Sequence, residues 1–550
     1  DEPDDFDLAD LPALTRLVHW AGLLGSRVLL SSATLPPALV QGLFEAYRNG
    51  RHHFNRNCGA RPSGADTPPV ICCAWLDEFD QQAQDCPDAA SFEQAHAQFT
   101  KRRHSELTRL ATEPRRRAEL LPLQNMKGIK ANDLPALAQA FAPQVLAAAL
   151  RLHYAHAGTD PVSHKRVSFG LVRMANIEPL FEVALALFKQ ALPDGMRVHL
   201  CVYHSRHPLL VRSAIEQQLD QTLQRHQPEE VFALPDIRRR LDASPEADQI
   251  FIVLGSTVTE VGRDHDYDWA VVEPSSMRSL IQLAGRVRRH RAEAVASPNI
   301  LVFSQNLRCY TQPGQPAYCK PGFENNSDAF SLSSHDLQRL MSAEELAVID
   351  ARPRIVSPAP SALRPHDRLV DLEHCRMRSE MLPIRQASAS PAVGSRARAA
   401  ASSTAAATPR LNAATWWDQP PQDALLSAVL QRQQPFRKES VPQDVTLVLL
   451  PDEDGQSAVL HRVMDPTPRQ KALYELNGMR CTHLPNALTT GERIEAWGVT
   501  DYMAALLDLA AELDLTPTAC AQRFGTVTVR PNDNGWRYHP ALGFAQKSSQ

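Results

Sequence analysis

The sequence has 550 residues, which is too long for one hydrophobic core and suggests about three or four domains. It carries 58 Lys and Arg against 62 Asp and Glu, so its net charge of −4 excludes a uniformly basic nucleic-acid-binding surface, and any polyanion site must be local. The ten cysteines form no CxxC pair and no cluster with zinc spacing, and no apolar run is long enough for a membrane span. We therefore expect a soluble, cytoplasmic protein with reduced thiols and no membrane partner.

The first fifty residues predict a helix, a buried strand and a second helix. Apolar residues at helical spacing begin near position 8, and Gly25 is a natural helix end. The apolar VLL at 28–30 predicts a short buried strand, and Pro37 suits the first turn of a helix that runs to Gly50. Because the chain opens with DEPDDFD and lacks an initiator methionine, we expect it to be a fragment of a longer protein.

A parallel sheet is predicted in the middle of the chain. Residues 51–163 are rich in loops and contain two helical stretches, at 92–110 and 134–157, which indicates an insertion or connector. Continuous apolar strands then alternate with helical stretches at 177–191 and 208–225. These strands lie at 167–172, 197–203, 249–255, 269–273 and 299–304. Such strands between helices are typical of a parallel sheet covered on both faces, and ligand residues gather at the carboxyl ends of its strands.

The last part of the chain changes in composition. An Ala/Ser-rich stretch at 385–411 buries too little surface to offset its ordering entropy, so it predicts a flexible linker. Beyond it, two strands at 444–450 and 457–463, a helix at 502–514 and an alternating strand at 525–529 predict a small α+β domain.

The stretch IQLAGRVRRHR at 281–291 contains the pattern QxxGRxxR, formed by Gln282, Gly285, Arg286 and Arg289. On a continuous helix, positions 282, 286 and 289 share one face. A row of guanidinium groups on one face suits a polyphosphate, since each can bind phosphate oxygens through two hydrogen bonds. A solvated helix face remains the alternative.

Three further patterns are weak alone and stronger in combination. Gly262 and Asp264 follow a predicted strand, where a glycine allows close approach and a carboxylate can bind a ribose hydroxyl or a neighbouring arginine. An ordinary polar loop is the alternative reading of that segment. DEPD at 1–4 would otherwise be an acidic tail, and SAT at 32–34 is a common tripeptide. The chain order DExD, SAT, GxD, QxxGRxxR is much less expected by chance.

These motifs resemble those of superfamily 2 nucleic-acid helicases from the second signature motif onward. VLLSSATLPP, GSTVTEVGRDHDYDW and LIQLAGRVRRHR resemble more closely the CRISPR-associated helicase-nuclease of type I systems, subtype I-F, and the motif-bearing resemblance covers 1–50 and about 164–306. The resemblance implies RecA-like α/β lobes. The expected domains are, in chain order, the rest of a first lobe (1–50), a connector (51–163), a complete second lobe (164–306), an irregular and helical connector (307–384), the linker (385–411) and a C-terminal accessory domain (412–550).

The resemblance also implies a nucleotide site. Asp1 would hold Mg²⁺ through water, and Glu2 would orient or activate the water that attacks ATP. Gln282, Arg286 and Arg289 would act from the second lobe, the two arginines as cations for developing phosphate charge. Further nucleotide contacts would come from Gly262 and from Asp264, the latter to nucleotide or to Arg289.

Coupling and DNA residues follow from the same resemblance. Asp4 would hydrogen-bond to Ser32 or Thr34 and pass the nucleotide state to the DNA groove. Ser205 and Arg206 are candidate contacts to the DNA backbone, although a surface loop is equally plausible. Basic side chains could extend this path, with a solvated helix face as the favoured alternative; they are Lys101, Arg102, Arg103, Arg115, Arg116 and Arg117. Trp416 and Trp417 could stack on a base, but packing tryptophans are the better interpretation.

The family implies an ATP-dependent motor that moves 3′ to 5′ on single-stranded DNA and feeds it to a nuclease. Its implied partners are single-stranded DNA, an RNA-guided surveillance complex and spacer-integration proteins. No GxxxxGK[ST] loop occurs in these residues, so the fragment alone is expected to bind ATP poorly and hydrolyse it negligibly. The His-Asp pairs at 265, 335 and 366 are interpreted as chance rather than a nuclease site. The rival hypothesis is a non-catalytic nucleic-acid-binding or docking module with relic motifs, and an RNA helicase is a lesser alternative.

Overall fold

The computed structural model describes residues 1–57, 68–260, 262–319, 321–383, 412–415, 444–464, 473–477 and 480–547. The predicted linker at 385–411 and the tryptophans 416 and 417 lie outside these residues. Among the described helices, none combines the length and the hydropathy that a membrane span requires.

Helices cover much of the described chain. They are α1 (Leu11–Leu23), α2 (Pro37–Asn57), α3 (Ala89–Leu110), α4 (Leu134–His156), α5 (Ile177–Phe188), α6 (Leu209–Leu223), α7 (Pro235–Ala243), α8 (Met277–Ala284), α9 (Arg308–Thr311), α10 (Leu337–Leu340), α11 (Ala343–Ala347), α12 (Arg352–Ile355), α13 (Leu369–Met381), α14 (Tyr502–Glu512) and α15 (Pro517–Phe524).

The strands form one large sheet and three smaller ones. They are β1 (Ile71–Leu76), β2 (Gln81–Cys86), β3 (Ala118–Leu121), β4 (Gly158–Thr159), β5 (Arg166–Arg173), β6 (Met196–Tyr203), β7 (Asp248–Gly255), β8 (Trp269–Val272), β9 (Ile300–Phe303), β10 (Val445–Pro451), β11 (Ala458–Met464), β12 (Leu473–Leu476), β13 (Cys481–His483), β14 (Ile494–Ala496), β15 (Thr526–Val529), β16 (Trp536–His539) and β17 (Gly543–Gln546).

The large sheet has the order β14-β6-β7-β5-β8-β9-β3, with β4 paired to β5. All neighbours along this path are parallel, and only the β4–β5 pair is antiparallel. Alternate residues of β7 face opposite layers: Ile252 packs towards α4 and α5, whereas Val253 packs towards α6, α7 and α8. Because both faces are covered, every residue of β7 is buried. The predicted α/β fold with a helix-covered parallel sheet is confirmed.

The predicted strand at 28–30 is wrong. The structure has no strand there, and the side chain of Leu29 is 84% exposed. A strand needs a neighbour to pair its amide and carbonyl groups, and no described strand pairs with this segment. The apolar pattern alone does not supply that neighbour.

Two features of the region 68–121 escaped the sequence analysis. β1 and β2 form an antiparallel hairpin, and β3 adds an edge strand to the large sheet beside β9. The AELL sequence of β3 is too short to be recognised as a strand. It becomes a strand because it pairs with β9.

Helices α1 and α2 pack closely through two glycines. A Cβ atom at Gly22 would lie 2.4 Å from the carbonyl oxygen of Tyr47, and one at Gly50 would lie 2.2 Å from that of His19. The helix backbones can therefore approach only because these positions lack side chains. α13 packs against α2 and completes this helical cluster.

The C-terminal region has the predicted α+β character, and it also joins the large sheet. β12, β11, β10 and β15 form an antiparallel sheet against which α15 packs. β14 pairs in parallel with β6, and Leu542 accepts a hydrogen bond of 2.8 Å from the His204 ring. Sequence reasoning missed this continuity because β14 is only three residues long.

Candidate nucleotide site

The acidic N-terminal segment is folded against the SAT motif. Residues Pro3–Asp5 form a 3₁₀ turn, and the amide of Glu2 donates to the Ser31 carbonyl at 2.6 Å. The buried Asp4 carboxylate accepts hydrogen bonds from Ser32 at 2.6 Å and from Thr34 at 2.5 Å. DExD and SAT, which are about thirty residues apart in the chain, therefore meet through the two partners expected for Asp4.

Helix α8 brings the second half of the chain onto this segment. Arg278 donates to the main-chain carbonyl of Asp4 at 2.5 Å, and Gln282 donates to the Asp5 carboxylate. The first turn of α8 is held by Glu373 of α13, whose carboxylate accepts from the Met277 amide at 2.5 Å. A carboxylate at a helix N-terminus satisfies free amides and interacts favourably with the helix dipole.

Helix α8 ends before Arg286 and Arg289 of the QxxGRxxR motif. α8 stops at Ala284, and the Gly285 amide closes its last turn on the Ile281 carbonyl at 3.0 Å. The chain then pairs with Tyr267, through the Arg286 carbonyl and the Arg288 amide at 2.9 Å each. Arg288 has a φ of 48°, in the left-handed region. The expectation that 282, 286 and 289 share a helix face is therefore wrong, since main-chain pairing with Tyr267 replaces the helix.

Arg286 and Arg289 are held by different parts of the GxD segment. Arg286 donates from Nε and from a terminal nitrogen to the Glu260 carbonyl, at 3.0 and 2.8 Å. Arg289 donates to the Asp264 carboxylate at 2.5 Å. The two motifs thus form one unit in which Arg286 is fixed by main chain and Arg289 by an exposed ion pair.

The other two arginines of the cluster have structural partners. Arg291 forms a largely buried pair with Asp266 and Asp268, each at 2.6 Å. Arg288 contacts Glu293 at 3.1 Å. Arg291 therefore ties the GxD segment to the turn at 285–289 that carries Arg286 and Arg289, here called the arginine turn, whereas Arg288 makes a local contact with an exposed glutamate.

The negative charge of the acidic segment is partly offset by the positive charge of Arg286. Burial raises the pKa of Glu2, the Asp4 and Asp5 carboxylates raise it further, and Ser32 and Arg286 oppose the shift. Burial lowers the pKa of Arg286, and Glu2 opposes that shift. Glu2 and Arg286 are therefore close enough to influence each other's protonation, whereas the Arg289 side chain turns to Asp264. A carboxylate with a raised pKa is a better proton acceptor than an ordinary one.

The GxD glycine leaves an open surface. Gly262 has a φ of 72°, and a Cβ added there would meet nothing within 4 Å. Burial opposes ionisation of Asp264, but its hydrogen bond and charge interaction with Arg289 lower its pKa. The loop therefore presents an exposed main chain beside a carboxylate that stays ionised.

A buried polar network beneath the site was not predicted. Arg173, at the end of β5, pairs with Glu260 at 2.5 Å, and both side chains are almost fully buried. Arg173 also donates to Ser275 at 2.5 Å and to Ser279. The sequence signal that could have predicted this network is Arg173 itself, which ends the apolar strand VSFGLV. A charged side chain buried at that position must be paired with an opposite charge. The network ties β5, the GxD segment and the start of α8 together.

The candidate DNA residues follow β6, the parallel neighbour of β7 in the large sheet. Ser205 is exposed, and Arg206 pairs with Glu178 of α5. The Phe544 amide donates to the Arg206 carbonyl at 2.9 Å, so β17 packs against this loop. Their role in binding DNA stays a prediction.

The basic side chains outside the arginine motif lie in two settings. Arg102 and Arg103 contact Asp80 and Glu78 of the β1–β2 hairpin. Arg116 lies beyond the end of α3 and donates to the Val287 carbonyl at 3.0 Å. Arg116 therefore supports the arginine turn instead of belonging to a solvated helix face.

The histidines of the three His-Asp pairs each contact a carboxylate or a main-chain carbonyl. His265 contacts Asp220 at 2.9 Å, His335 contacts Glu324 at 2.7 Å, and His366 contacts the Ser331 carbonyl at 2.7 Å. Among the described residues, none of these three histidines belongs to a group of His, Cys, Asp and Glu side chains close enough to share a metal ion.

The residues present fit part of a magnesium–nucleotide site. Asp1 is exposed next to Glu2, and an exposed carboxylate is the ligand type that Mg²⁺ takes together with several waters. The arginine turn adds two guanidinium groups, and the GxD loop adds accessible main chain. These groups suit a phosphorylated ligand at the edge formed by the acidic segment, α8 and the GxD loop.

Family models match two segments of the chain. Residues 449–546 match the C-terminal domain of CRISPR-associated Cas3 subtype I-F/YPEST-like proteins. Residues 166–292 match the C-terminal region of the CRISPR-associated nuclease/helicase Cas3. The second segment includes the GxD loop and the arginine turn.

Two curated relatives align with 99% of this chain. The CRISPR-associated nuclease/helicase Cas3 subtype I-F/YPEST of Pseudomonas aeruginosa is 47% identical over 550 residues, and that of Pectobacterium atrosepticum is 39% identical over 546 residues. The chain spans about half the length of these relatives, 46% in each case. A crystal structure of T. fusca Cas3–AMPPNP aligns with 58% of this chain and 31% of its own, with 18% identity and a TM-score of 0.33.

Proposed function

This chain belongs to the Cas3 subtype I-F/YPEST family of CRISPR-associated nuclease/helicases, and we propose that it forms part of an ATP-driven translocase on single-stranded DNA. One observation carries the proposal. The acidic segment at 1–5 is docked on α8 through Arg278 and Gln282, which places Glu2 within electrostatic reach of Arg286. Carboxylates and guanidinium groups converging at one edge are part of what phosphoryl transfer requires.

In the proposed reaction, Glu2 accepts a hydrogen bond from the attacking water and draws off its proton. Its raised pKa favours this role, because the carboxylate is a stronger base. Asp1 would hold Mg²⁺, which when bound neutralises phosphate charge. Gln282 stays bonded to Asp5 and so keeps α8 against the acidic segment.

The two arginines act at the phosphates in different ways. Arg286 is already oriented by the Glu260 carbonyl. Arg289 must exchange Asp264 for phosphate oxygens, which makes ligand binding compete with an existing ion pair. Gly262 leaves room for the ligand beside that loop. Binding would therefore pull the GxD loop and the arginine turn onto the nucleotide.

Movement on DNA would be coupled through Asp4. Its carboxylate joins the acidic segment to Ser32 and Thr34, so a shift of Glu2 reaches the SAT motif directly. Ser205 and Arg206 are proposed to contact the DNA backbone. An RNA-guided surveillance complex, spacer-integration proteins and 3′ to 5′ movement are proposed from family membership.

The test is DNA-stimulated ATP hydrolysis by the full-length product of the gene that encodes this chain. Arg289→Ala and Arg286→Ala should each lower turnover by about 10³-fold or more, the range of an arginine that stabilises transferred phosphate. Arg288→Ala removes a neighbouring guanidinium that contacts Glu293, so it is the matched control and should retain most turnover.

Wild-type turnover in Arg289→Ala and Arg286→Ala would remove the assigned role. A wild-type product with no DNA-stimulated hydrolysis would favour the non-catalytic docking module instead. Replacing DNA by RNA as the stimulating strand separates a DNA motor from an RNA helicase.

A further inference from the structure

His226 and His290 both lie close to one carboxylate oxygen of Asp264, the Oδ2 atom. His226 follows α6, Asp264 follows β7, and His290 follows the arginine turn, so three separate segments supply the side chains. The Asp264 Oδ2 atom lies 3.6 Å from His226 Nε2 and 3.3 Å from His290 Nε2. The three ligand atoms all lie within 4.8 Å of one another.

The contacts of the two rings with Asp264 are ion pairs only when the imidazoles are protonated. The Nε2 atom of His290 is buried and has no hydrogen-bond partner among the described residues. The two imidazole rings lie with their centroids 4.0 Å apart. Arg289 occupies the other oxygen of Asp264, Oδ1, at 2.5 Å, which leaves Oδ2 facing the two rings.

The spacing of the ligand atoms suits a small ion. Bonds of about 2.05 Å in a tetrahedral site place neighbouring ligand atoms about 3.3 Å apart. The two separations from Asp264 are 3.3 and 3.6 Å, and the two imidazole nitrogens lie within 4.8 Å of each other, so a small adjustment of the exposed His226 side chain would complete the site. Imidazole nitrogens favour zinc and other late transition metals, whereas Mg²⁺ takes oxygen ligands.

We propose that His226, Asp264 and His290 form a binding site for a divalent transition metal, with Zn²⁺ as the best-fitting ion. The ligands are Nε2 of each histidine and Oδ2 of Asp264, and water completes the coordination. This site is separate from the magnesium position assigned to Asp1. It does not depend on ATP hydrolysis by the protein.

The test measures Zn²⁺ binding to the chelator-treated full-length gene product, by competition with a chromophoric chelator. His226→Ala and His290→Ala should each bind one equivalent less than wild type, because a high-affinity site loses one of its ligands. His366→Ala removes an exposed histidine elsewhere and should bind as wild type does. Metal sites in other parts of the protein are common to all four proteins and cancel in the comparison.

A spectroscopic measurement gives a second readout. Co²⁺ in the same site should produce a visible absorption band in wild type and His366→Ala that is absent from His226→Ala and His290→Ala. The His226 side chain is 68% exposed, so its removal should leave the fold intact even if His290→Ala fails to fold. Unchanged Zn²⁺ stoichiometry and an unchanged Co²⁺ band in His226→Ala would overturn the proposal.

Discussion

Arg286 is fixed to Glu260 by two hydrogen bonds, from Nε at 3.0 Å and from a terminal nitrogen at 2.8 Å to the same carbonyl oxygen. The Glu260 side chain in turn pairs with the buried Arg173 of β5 and accepts a hydrogen bond of 2.5 Å from Ser279 of α8. One residue therefore connects the arginine turn, the large sheet and the helix that docks on the acidic segment. The orientation of Arg286 is a property of the fold and does not require a ligand.

Arg286→Lys should lower ATP turnover although it keeps the positive charge. An ammonium group cannot reproduce the planar fork that contacts Glu260 and a phosphate together. We expect kcat to fall by about 10-fold or more with a smaller change in KM, since the lost contact acts on the transition state. Steady-state kinetics of the full-length gene product checks this, with Arg288→Lys as the control. An unchanged kcat would show that charge alone suffices.

Asp4→Asn should uncouple hydrolysis from DNA. The amide cannot accept from both Ser32 and Thr34 with the strength of a carboxylate, because these are charge-assisted hydrogen bonds. We expect the ratio of turnover with DNA to turnover without DNA to fall towards one. Asp7→Asn changes an exposed residue of the same segment and should keep the wild-type ratio. Full DNA stimulation in Asp4→Asn would contradict the coupling role.

Glu260→Gln should destabilise the protein strongly. It leaves Arg173 buried without its ionic partner, and breaking one side of a buried pair costs about 3–5 kcal/mol. Glu106→Gln breaks the exposed pair with Arg109 and should cost about 1 kcal/mol or less. Thermal unfolding of both variants beside wild type measures the difference. Equal melting temperatures for the two variants would argue against a structural role for the network.

Acid should destabilise the fold between pH 6.5 and pH 4. Burial lowers the pKa of His96 and of His374 from 6.5 to about 4, and Trp75 donates to the His96 ring at 3.1 Å, which requires a neutral acceptor nitrogen. In this window the unfolded chain takes up protons that the folded chain does not. Stability therefore falls as pH decreases, by up to about 1.4 kcal/mol per pH unit for each histidine.

The measurement is the melting temperature as a function of pH. His96→Gln should show a shallower fall than wild type below pH 6.5, whereas the exposed His366→Gln should keep the wild-type slope. A melting temperature that stays constant from pH 6.5 to pH 4 in wild type would contradict the assignment of neutral buried histidines.

Local patterns predicted most of the second half of the fold. Strands β5 to β9 were found within one or two residues, because continuous apolar runs between amphipathic helices have few alternatives to a covered parallel sheet. The same patterns wrongly predicted a strand at 28–30, where the apolar run has no described strand to pair with. They also missed β14, because three residues are too few to show the alternation of a strand.

Two contacts of the candidate site agree with expectation, whereas the geometry of the arginine turn does not. Asp4 meets Ser32 and Thr34, and Arg289 meets Asp264, which are contacts that the family resemblance implied. The sequence did not predict that α8 ends at Ala284. The helix ends because Arg286 and Arg288 pair with Tyr267 through main-chain groups, and the pattern of side chains does not predict such pairing.

The sequence by itself determined the α/β order, the family and the identity of the charged motifs, since these depend on spacing and residue type along short stretches. Only the tertiary structure decided that Arg278 reaches Asp4, that Arg173 is buried beneath Glu260, and that His226 and His290 converge on Asp264. Such contacts join segments tens to hundreds of residues apart. They are selected by packing and by the cost of leaving buried charge unpaired, which periodicity along the chain does not encode.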